Sequence, residues 1–224
     1  MKKKRRKLPA RILIWIVRLH LWFWGIIACL CIIYQFVNPP VTTLMLQRYL
    51  VRGYDQHKRY YVPLEKIPQR SVNMIMTLED PNFYHHFGFD WKAIKHAWKR
   101  NQRSGRIKLG ASTISNQLAR TLFLTTDRNY FRKYLEAQIT VIMELIMTKR
   151  RMLELYVNYV EWGKGIYGIE TAARYYYGTG IKQLNKEQTM RLVSIMTNPI
   201  KYSPQTYYKS RSATQRYNML QKVY

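Results

Sequence analysis

Cysteine is almost absent from this chain, and acidic residues are scarce. Among 224 residues there are two cysteines, Cys29 and Cys31, and both lie in an apolar stretch. Aliphatic flanks of this kind indicate packing or lipid contact and argue against a disulfide or a metal pair. Only 12 residues are acidic against 38 Lys and Arg, which gives a formal net charge of +26. This balance predicts an anionic partner, and nucleic acid, acidic lipid and phosphorylated substrates all satisfy it.

Internal repeats and convincing strand patterns are also missing. Hydrophobic residues make up 47% of the chain, which is enough for a sizeable core and excludes global disorder. Apolar residues recur at helical spacing along most of the chain. The predicted fold is therefore mainly α. The predicted helices cover residues 68–79, 91–98, 112–122, 132–148, 169–177 and 186–196, and residues 151–160 extend or follow the fourth of them.

The N-terminal segment has the composition of a membrane anchor. Residues 1–11 contain seven Lys and Arg without an acidic residue, and an apolar run follows over residues 12–37. The 19 residues from Leu19 to Val37 suffice to span a hydrocarbon core as a helix. No A-x-A-like site follows, which favours an uncleaved anchor over a signal peptide. We predict a basic tail at 1–11, a transmembrane anchor at 12–37, a linker at 38–61 and an outer domain at 62–224.

The basic tail also predicts the topology. By the positive-inside rule the tail stays in the cytoplasm, and the chain crosses the cytoplasmic (inner) membrane once and places its main domain on the periplasmic or outer face. A basic domain in that position has lipid headgroups or phosphorylated lipids as its anionic partners. The same topology argues against nucleic acid, for which the sequence shows no recognised binding motif.

Two carboxylates are candidates for acid–base chemistry. Glu79 falls at a predicted helix C-terminus, beside Asp80. The negative end of the helix dipole and the adjacent carboxylate both disfavour its ionised form. Glu136 follows Arg132 and Lys133 by one helical turn, which favours its ionised form. Two carboxylates held in opposite states are typical of sugar chemistry. Taken separately, an exposed acidic pair at a turn and a surface salt-bridge face explain the same residues.

A third segment fits anion binding. Ser112 is predicted to cap the helix that follows it, and Asn116, Gln117 and Arg120 lie about one turn further on. A helix N-terminus with hydroxyls and an Arg nearby can hold a phosphate, although an ordinary N-cap has the same appearance.

Two other patterns carry no function here. Residues 163–168 match GxGxxG, but no strand–turn–helix unit surrounds them, so they indicate a tight turn. His85 and His86 lack an evident third ligand, so we predict no zinc site.

The order and combination of these segments resemble those of the motifs in the peptidoglycan glycosyltransferases of family 51. The shared motifs are EDxxFxxHxGxD at 79–90, GxSTIxxQ at 110–117, RKxxE at 132–136, Lys149 with MLExYVN at 152–158, and GxGxxG at 163–168 followed by Ala172, Ala173 and Tyr176. Five motifs in order over about residues 62–220 make the likeness specific. With no length left for a transpeptidase domain, the monofunctional biosynthetic peptidoglycan transglycosylases are the most similar branch.

The resemblance implies a lysozyme-like, mainly helical glycosyltransferase domain at 62–224 with a membrane-associated jaw. It implies that lipid II is polymerised with inversion into β-1,4-linked glycan, that undecaprenyl diphosphate is released, and that there is no transpeptidase activity. Glu79 would be the general base. Glu136 would assist at the donor diphosphate, through its cationic neighbours or a divalent ion. The remaining substrate contacts implied are Asp80, Phe83, His86, Ser112, Thr113, Gln117, Arg120, Arg132 and Lys133, with Phe83 and the basic 99–108 loop touching lipid or shaping the acceptor groove.

Cofactors and partners follow from the same resemblance. No cofactor is required, and Mg²⁺ or Mn²⁺ is compatible with the site. The partners implied are lipid II, the growing glycan strand and membrane lipids, and cell-wall synthesis or division proteins are compatible with them.

The chain also departs from the family pattern. Asn116 replaces a second Gln, and Arg120–Thr121 replaces a Lys–Asn pair. Arg keeps the charge of Lys but changes the donor geometry. Two rival functions therefore stay open: a lytic transglycosylase or muramidase that cleaves glycan, and a catalytically weakened cell-wall scaffold.

Overall fold

The computed structural model describes residues 7–105, 110–127 and 129–224, with side chains described from Arg11 onward. Over these residues, ten α-helices and two short strands confirm the predicted mainly α fold. The helices are α1 Lys7–Phe36, α2 Thr43–Arg52, α3 Gln69–Glu79, α4 Trp91–Ser104, α5 Ile114–Phe123, α6 Tyr130–Ile146, α7 Lys149–Tyr159, α8 Ile169–Tyr177, α9 Lys186–Ser194 and α10 Arg211–Val223, and the strands are β1 Glu161–Gly163 and β2 Ile166–Tyr167.

Helix α5 lies at the centre of the domain, packed between α6 and α7. Its side chains Ile114, Leu118 and Ala119 are fully buried. The facing helix α7 is buried over most of its length, including Tyr156 and Tyr159. A helix enclosed in this way is held rigidly, so polar side chains that leave it are fixed in place.

The structure corrects several predicted boundaries. Residues 38–61, predicted as a linker, contain α2, whose Arg48 donates to Glu161 at 3.0 and 2.9 Å. The predicted basic loop at 99–108 is helical as far as Ser104, and residues 106–109 lie outside the described residues. Helix α10 was not predicted from the sequence. Thr113 rather than Ser112 is the N-cap of α5.

The predicted tight turn at 163–168 is a short antiparallel hairpin between β1 and β2. Gly165 sits at its tip with φ 70° and a carbonyl that accepts from His57 N at 3.0 Å. A Cβ at Gly165 would lie 1.8 Å from the carbonyl oxygen of Asp55. Both the backbone angle and the space around it therefore require glycine.

We expect Gly165→Ala to lower the free energy of unfolding by at least about 2 kcal/mol more than Gly53→Ala. Gly53 is a matched control because it also has a positive φ, 62°, but nothing lies within 4 Å of a Cβ placed there. Thermal or denaturant unfolding of both variants tests this. Equal losses would mean that backbone strain alone, and not the contact with Asp55, constrains the hairpin.

Helix α1 is long and apolar enough to span a membrane over Arg11–Phe36, as predicted, and little of it is buried in the protein. It runs parallel to α6. His20 Nε2 lies 3.2 Å from Tyr134 OH, and Trp24 Nε1 donates to Gln138 Oε1 at 3.1 Å. Further along, Thr148 N donates to Gln35 Oε1 at 3.1 Å. The offset between partners stays at 113–114 residues, so the anchor is docked in register on α6.

Candidate active site

The carboxylate of Glu79 lies at the C-terminal end of α3 and is largely buried, with 10% of its side chain exposed. Its Oε2 accepts from Gln117 Nε2 at 2.8 Å, and its Oε1 accepts from the guanidinium of Arg216 on α10. Both oxygens are thus engaged, one by a neutral donor and one by a cation. The arrangement fixes the orientation of the carboxylate and balances its charge.

Tyr156 extends this network into the core. Its hydroxyl donates to Gln117 Oε1 at 3.0 Å, which turns the amide so that Nε2 faces Glu79. Burial raises the pKa of Tyr156 well above its usual range, and the negative charge of Glu79 acts in the same direction. The hydroxyl therefore stays protonated, so Tyr156 donates to Gln117 and Gln117 donates to Glu79.

Asp80 ties the end of α3 to the start of α5. Its carboxylate accepts from Ile114 N at 3.0 Å and from His86 Nε2 at 3.0 Å. The N-cap Thr113 donates in turn to Gly88 O at 2.7 Å. Asp80, His86 and Thr113 therefore connect the first motif to the second. These contacts hold Glu79 opposite α5.

A second cluster surrounds Glu136, whose side chain is fully buried on α6. Arg132 and Lys133 each bond one of its oxygens, and Arg120 Nη1 from α5 lies 3.8 Å from Oε2. Lys133 is half exposed and Arg120 is one-third exposed. These two cations therefore reach the protein surface, whereas the Glu136 carboxylate does not. Three cations around one buried anion leave a net positive site suited to a phosphate.

Helix α5 connects the two clusters. Gln117 contacts Glu79, and Arg120, three residues later and about 4.5 Å further along the helix axis, approaches Glu136. A carboxylate suited to proton transfer and a cationic site suited to a phosphate leaving group therefore lie side by side along one rigid helix.

Phe83 lies in the core, with 1% of its surface exposed, instead of contacting lipid or the acceptor groove as expected. Its ring sits 4.5 Å from Lys149 Nζ, which binds the buried Glu144 at 2.8 Å. Ser115 donates to the same Glu144 oxygen at 2.5 Å. Through these contacts, Phe83 and Lys149 connect the first, second and fourth motifs within the protein.

The predicted site residues thus divide into two reactive clusters and one supporting set. The structure brings Gln117 to Glu79 and brings Arg120, Arg132 and Lys133 to Glu136, whereas Ser112 lies half-buried just before α5. Sequence reasoning missed Arg216. No local pattern marks it, because its partner Glu79 lies 137 residues earlier.

Asn116, one of the departures from the family pattern, has a structural use. Its amide nitrogen donates to Gly88 O at 3.3 Å and to Thr140 Oγ1 at 3.0 Å, and its Oδ1 accepts from Thr113 N at 3.3 Å. The side chain is buried and reciprocally caps α5. The shorter amide fits this enclosed position.

We expect Asn116→Gln, which restores the usual family residue, to lower the free energy of unfolding by about 2 kcal/mol because it adds a methylene to a filled site. Thermal unfolding checks this, with the exposed Asn218→Gln as the matched control. A stabilised Asn116→Gln variant would show that the site has room for the longer side chain.

Comparison with known proteins places this arrangement in a family. The transglycosylase family model matches residues 46–223. A biosynthetic peptidoglycan transglycosylase of Dechloromonas aromatica is 40% identical over 87% of this chain and 82% of its own length. Proteins of the same description are 38% identical in Pseudomonas putida F1, over 91% of this chain and 89% of the relative, and in Laribacter hongkongensis, over 91% and 88%.

The fold, the site and the apolar N-terminal helix define a membrane-anchored glycosyltransferase. The chain belongs to the transglycosylase family, with the lysozyme-like helical domain of that family, and its activity is that of a peptidoglycan transglycosylase.

Proposed function

We propose that this chain polymerises lipid II into β-1,4-linked glycan strands and releases undecaprenyl diphosphate, with Glu79 as the general base. The observation that carries the proposal is that neighbouring turns of α5 contact Glu79, through Gln117, and the cationic Glu136 cluster, through Arg120. Hydrolysis of a glycan needs no diphosphate-binding cations, whereas transfer from a lipid diphosphate does.

The proposed reaction is a single displacement. The acceptor 4-hydroxyl gives its proton to a carboxylate oxygen of Glu79, and the hydroxyl oxygen attacks the anomeric carbon of the donor. The bond from that carbon to the diphosphate oxygen breaks, and the electron pair leaves with the diphosphate. Attack from the face opposite the leaving group inverts the anomeric centre.

Arg120, Arg132 and Lys133 take up the charge that develops on the departing diphosphate. Preformed cations in a partly buried site stabilise such a charge without reorganising at the moment of reaction. Arg120 donates through a planar guanidinium and can bind two phosphate oxygens at once, so the family's Lys is replaced without loss of charge.

Glu136 acts in this scheme by orienting the cations. Arg132 and Lys133 bond its two oxygens and its side chain is fully buried, so positive charge already surrounds it and disfavours a divalent ion. Among the described residues no cluster of three His, Cys, Asp or Glu side chains could supply other ligands. The residues present therefore do not fit a metal at this position, and we propose that the chain's own cations take that role.

The orientation in the membrane is also proposed. The basic tail would stay in the cytoplasm and α1 would cross the inner membrane once. Because α6 is docked in register on α1, the Glu136 cluster would lie against the membrane, within reach of a lipid-linked donor.

The test supplies purified full-length protein in detergent with labelled lipid II and, separately, with preformed glycan strands. We expect polymer from lipid II, undecaprenyl diphosphate in equal amount to the bonds formed, and unchanged preformed strands. Shortened strands with intact lipid II would favour the lytic function. No change in either substrate would favour the scaffold.

A further inference from the structure

Arg216 is the cation bonded to Glu79 among the described residues, and it comes from a different part of the chain. Glu79 needs such a partner, because it lies at the negative end of α3 and next to the buried Asp80. The charge of Asp80 is met separately by His86 and by Ile114 N. Among the described residues, the hydrogen bond of the Arg216 guanidinium goes to Glu79.

One further donor of Arg216, Nε, is not used by the fold. Its Nε is buried and has no hydrogen-bond partner among the described residues. An arginine that only stabilises the fold usually has its buried donors satisfied. An unsatisfied N–H next to the base is instead suited to donate a hydrogen bond when the site is filled.

Helix α10 is held in place without Arg216. Tyr217 OH donates to Glu187 on α9 at 2.6 Å, and Tyr224 OH lies 3.0 Å from Thr77 Oγ1 on α3. Tyr217 and Leu220 are buried beneath the helix. A change at Arg216 therefore alters the surroundings of Glu79 while the packing of α10 persists.

We propose that Arg216 is a positioning residue for the general base: its guanidinium orients the Glu79 carboxylate toward the acceptor hydroxyl. The proposal rests on the proposed function. It makes the C-terminal helix part of the active site, since α10 supplies one of the two donors that orient the base and α5 supplies the other through Gln117.

The test compares Arg216→Ala, Arg216→Lys and a control, Arg191→Ala, in the lipid II assay with full-length protein. Arg191 forms an exposed ion pair with Glu187 on α9 and does not touch Glu79. We expect Arg216→Ala to lower kcat by about 100-fold, with KM little changed, because the base is misplaced while the donor cations remain. Guanidinium ion at tens of millimolar should restore part of this rate, but should not raise the rate of Glu79→Gln.

Native-like kcat in Arg216→Ala would overturn the proposal, as would a loss of rate that guanidinium leaves unchanged. If Arg216→Ala does not fold, Arg216→Lys decides, because Lys keeps the charge without the planar donor pair. We expect its kcat to fall about 10-fold at unchanged melting temperature, and a native kcat would contradict us. Failure of the native chain to polymerise lipid II is a separate result, which refutes the proposed function itself.

Discussion

Replacing Glu79 with Gln should reduce kcat for lipid II polymerisation by about 10³-fold, because the amide cannot accept the proton of the acceptor hydroxyl. The substitution is nearly isosteric and keeps an oxygen for Gln117 or Arg216 to bond. KM for lipid II should change little, since the cations around Glu136 bind the donor separately. Steady-state rates with labelled lipid II give both constants.

Glu65→Gln is the matched control for this variant. Glu65 forms an exposed ion pair with Arg150 at 2.9 Å, and exposed pairs contribute little to stability. The control should polymerise at the native rate. If Glu79→Gln retained more than a small fraction of native kcat, proton transfer would have to occur elsewhere, and Glu79 would lose its assigned role.

Replacing Glu136 with Gln should lower polymerisation by about 100-fold and the free energy of unfolding by about 3 kcal/mol. Its buried carboxylate is the shared anion of Arg132 and Lys133, with Arg120 close by. A neutral amide leaves these cations to repel one another, so they separate and no longer converge on a diphosphate. Kinetics and thermal unfolding measure the two effects separately.

The control for Glu136 is another buried acid, Glu161, which pairs with Arg48 at 2.9 Å away from the reactive clusters. Burial raises the pKa of Glu161, although Arg48 opposes this shift. Glu161→Gln should cost stability but leave kcat near the native value at temperatures where the variant is folded. Parallel losses of activity in both variants would show that Glu136 acts through folding alone.

The sequence predicts those parts of the site that depend on near neighbours. Arg132, Lys133 and Glu136 share one helix, so their contacts follow from spacing of three and four residues. The end of α3 at Glu79 follows from Pro81, because the residue before a proline avoids helical angles. The anchor was predicted in the same way, from an unbroken apolar run.

Contacts between distant segments could not be predicted in this way. Arg216 and Glu79 meet only because α10 packs on α3, and Arg120 reaches Glu136 only because α5 packs on α6. The prediction that the ionised form of Glu79 is disfavoured therefore took account of the helix end and Asp80, but not of Arg216. Phe83 and His86 were assigned to substrate from their motif, whereas their surroundings place them in the core and against Asp80.

The most direct measurement is the anomeric configuration of the bond formed when native, full-length protein acts on lipid II. A single displacement with Glu79 as base and diphosphate as leaving group inverts the donor, so every new linkage should be β-1,4 by NMR of the isolated strands. α-Linked product would require a retaining route with a covalent intermediate, and would contradict the assignment of Glu79 as a base. Absence of any polymer would contradict the proposed function as a whole.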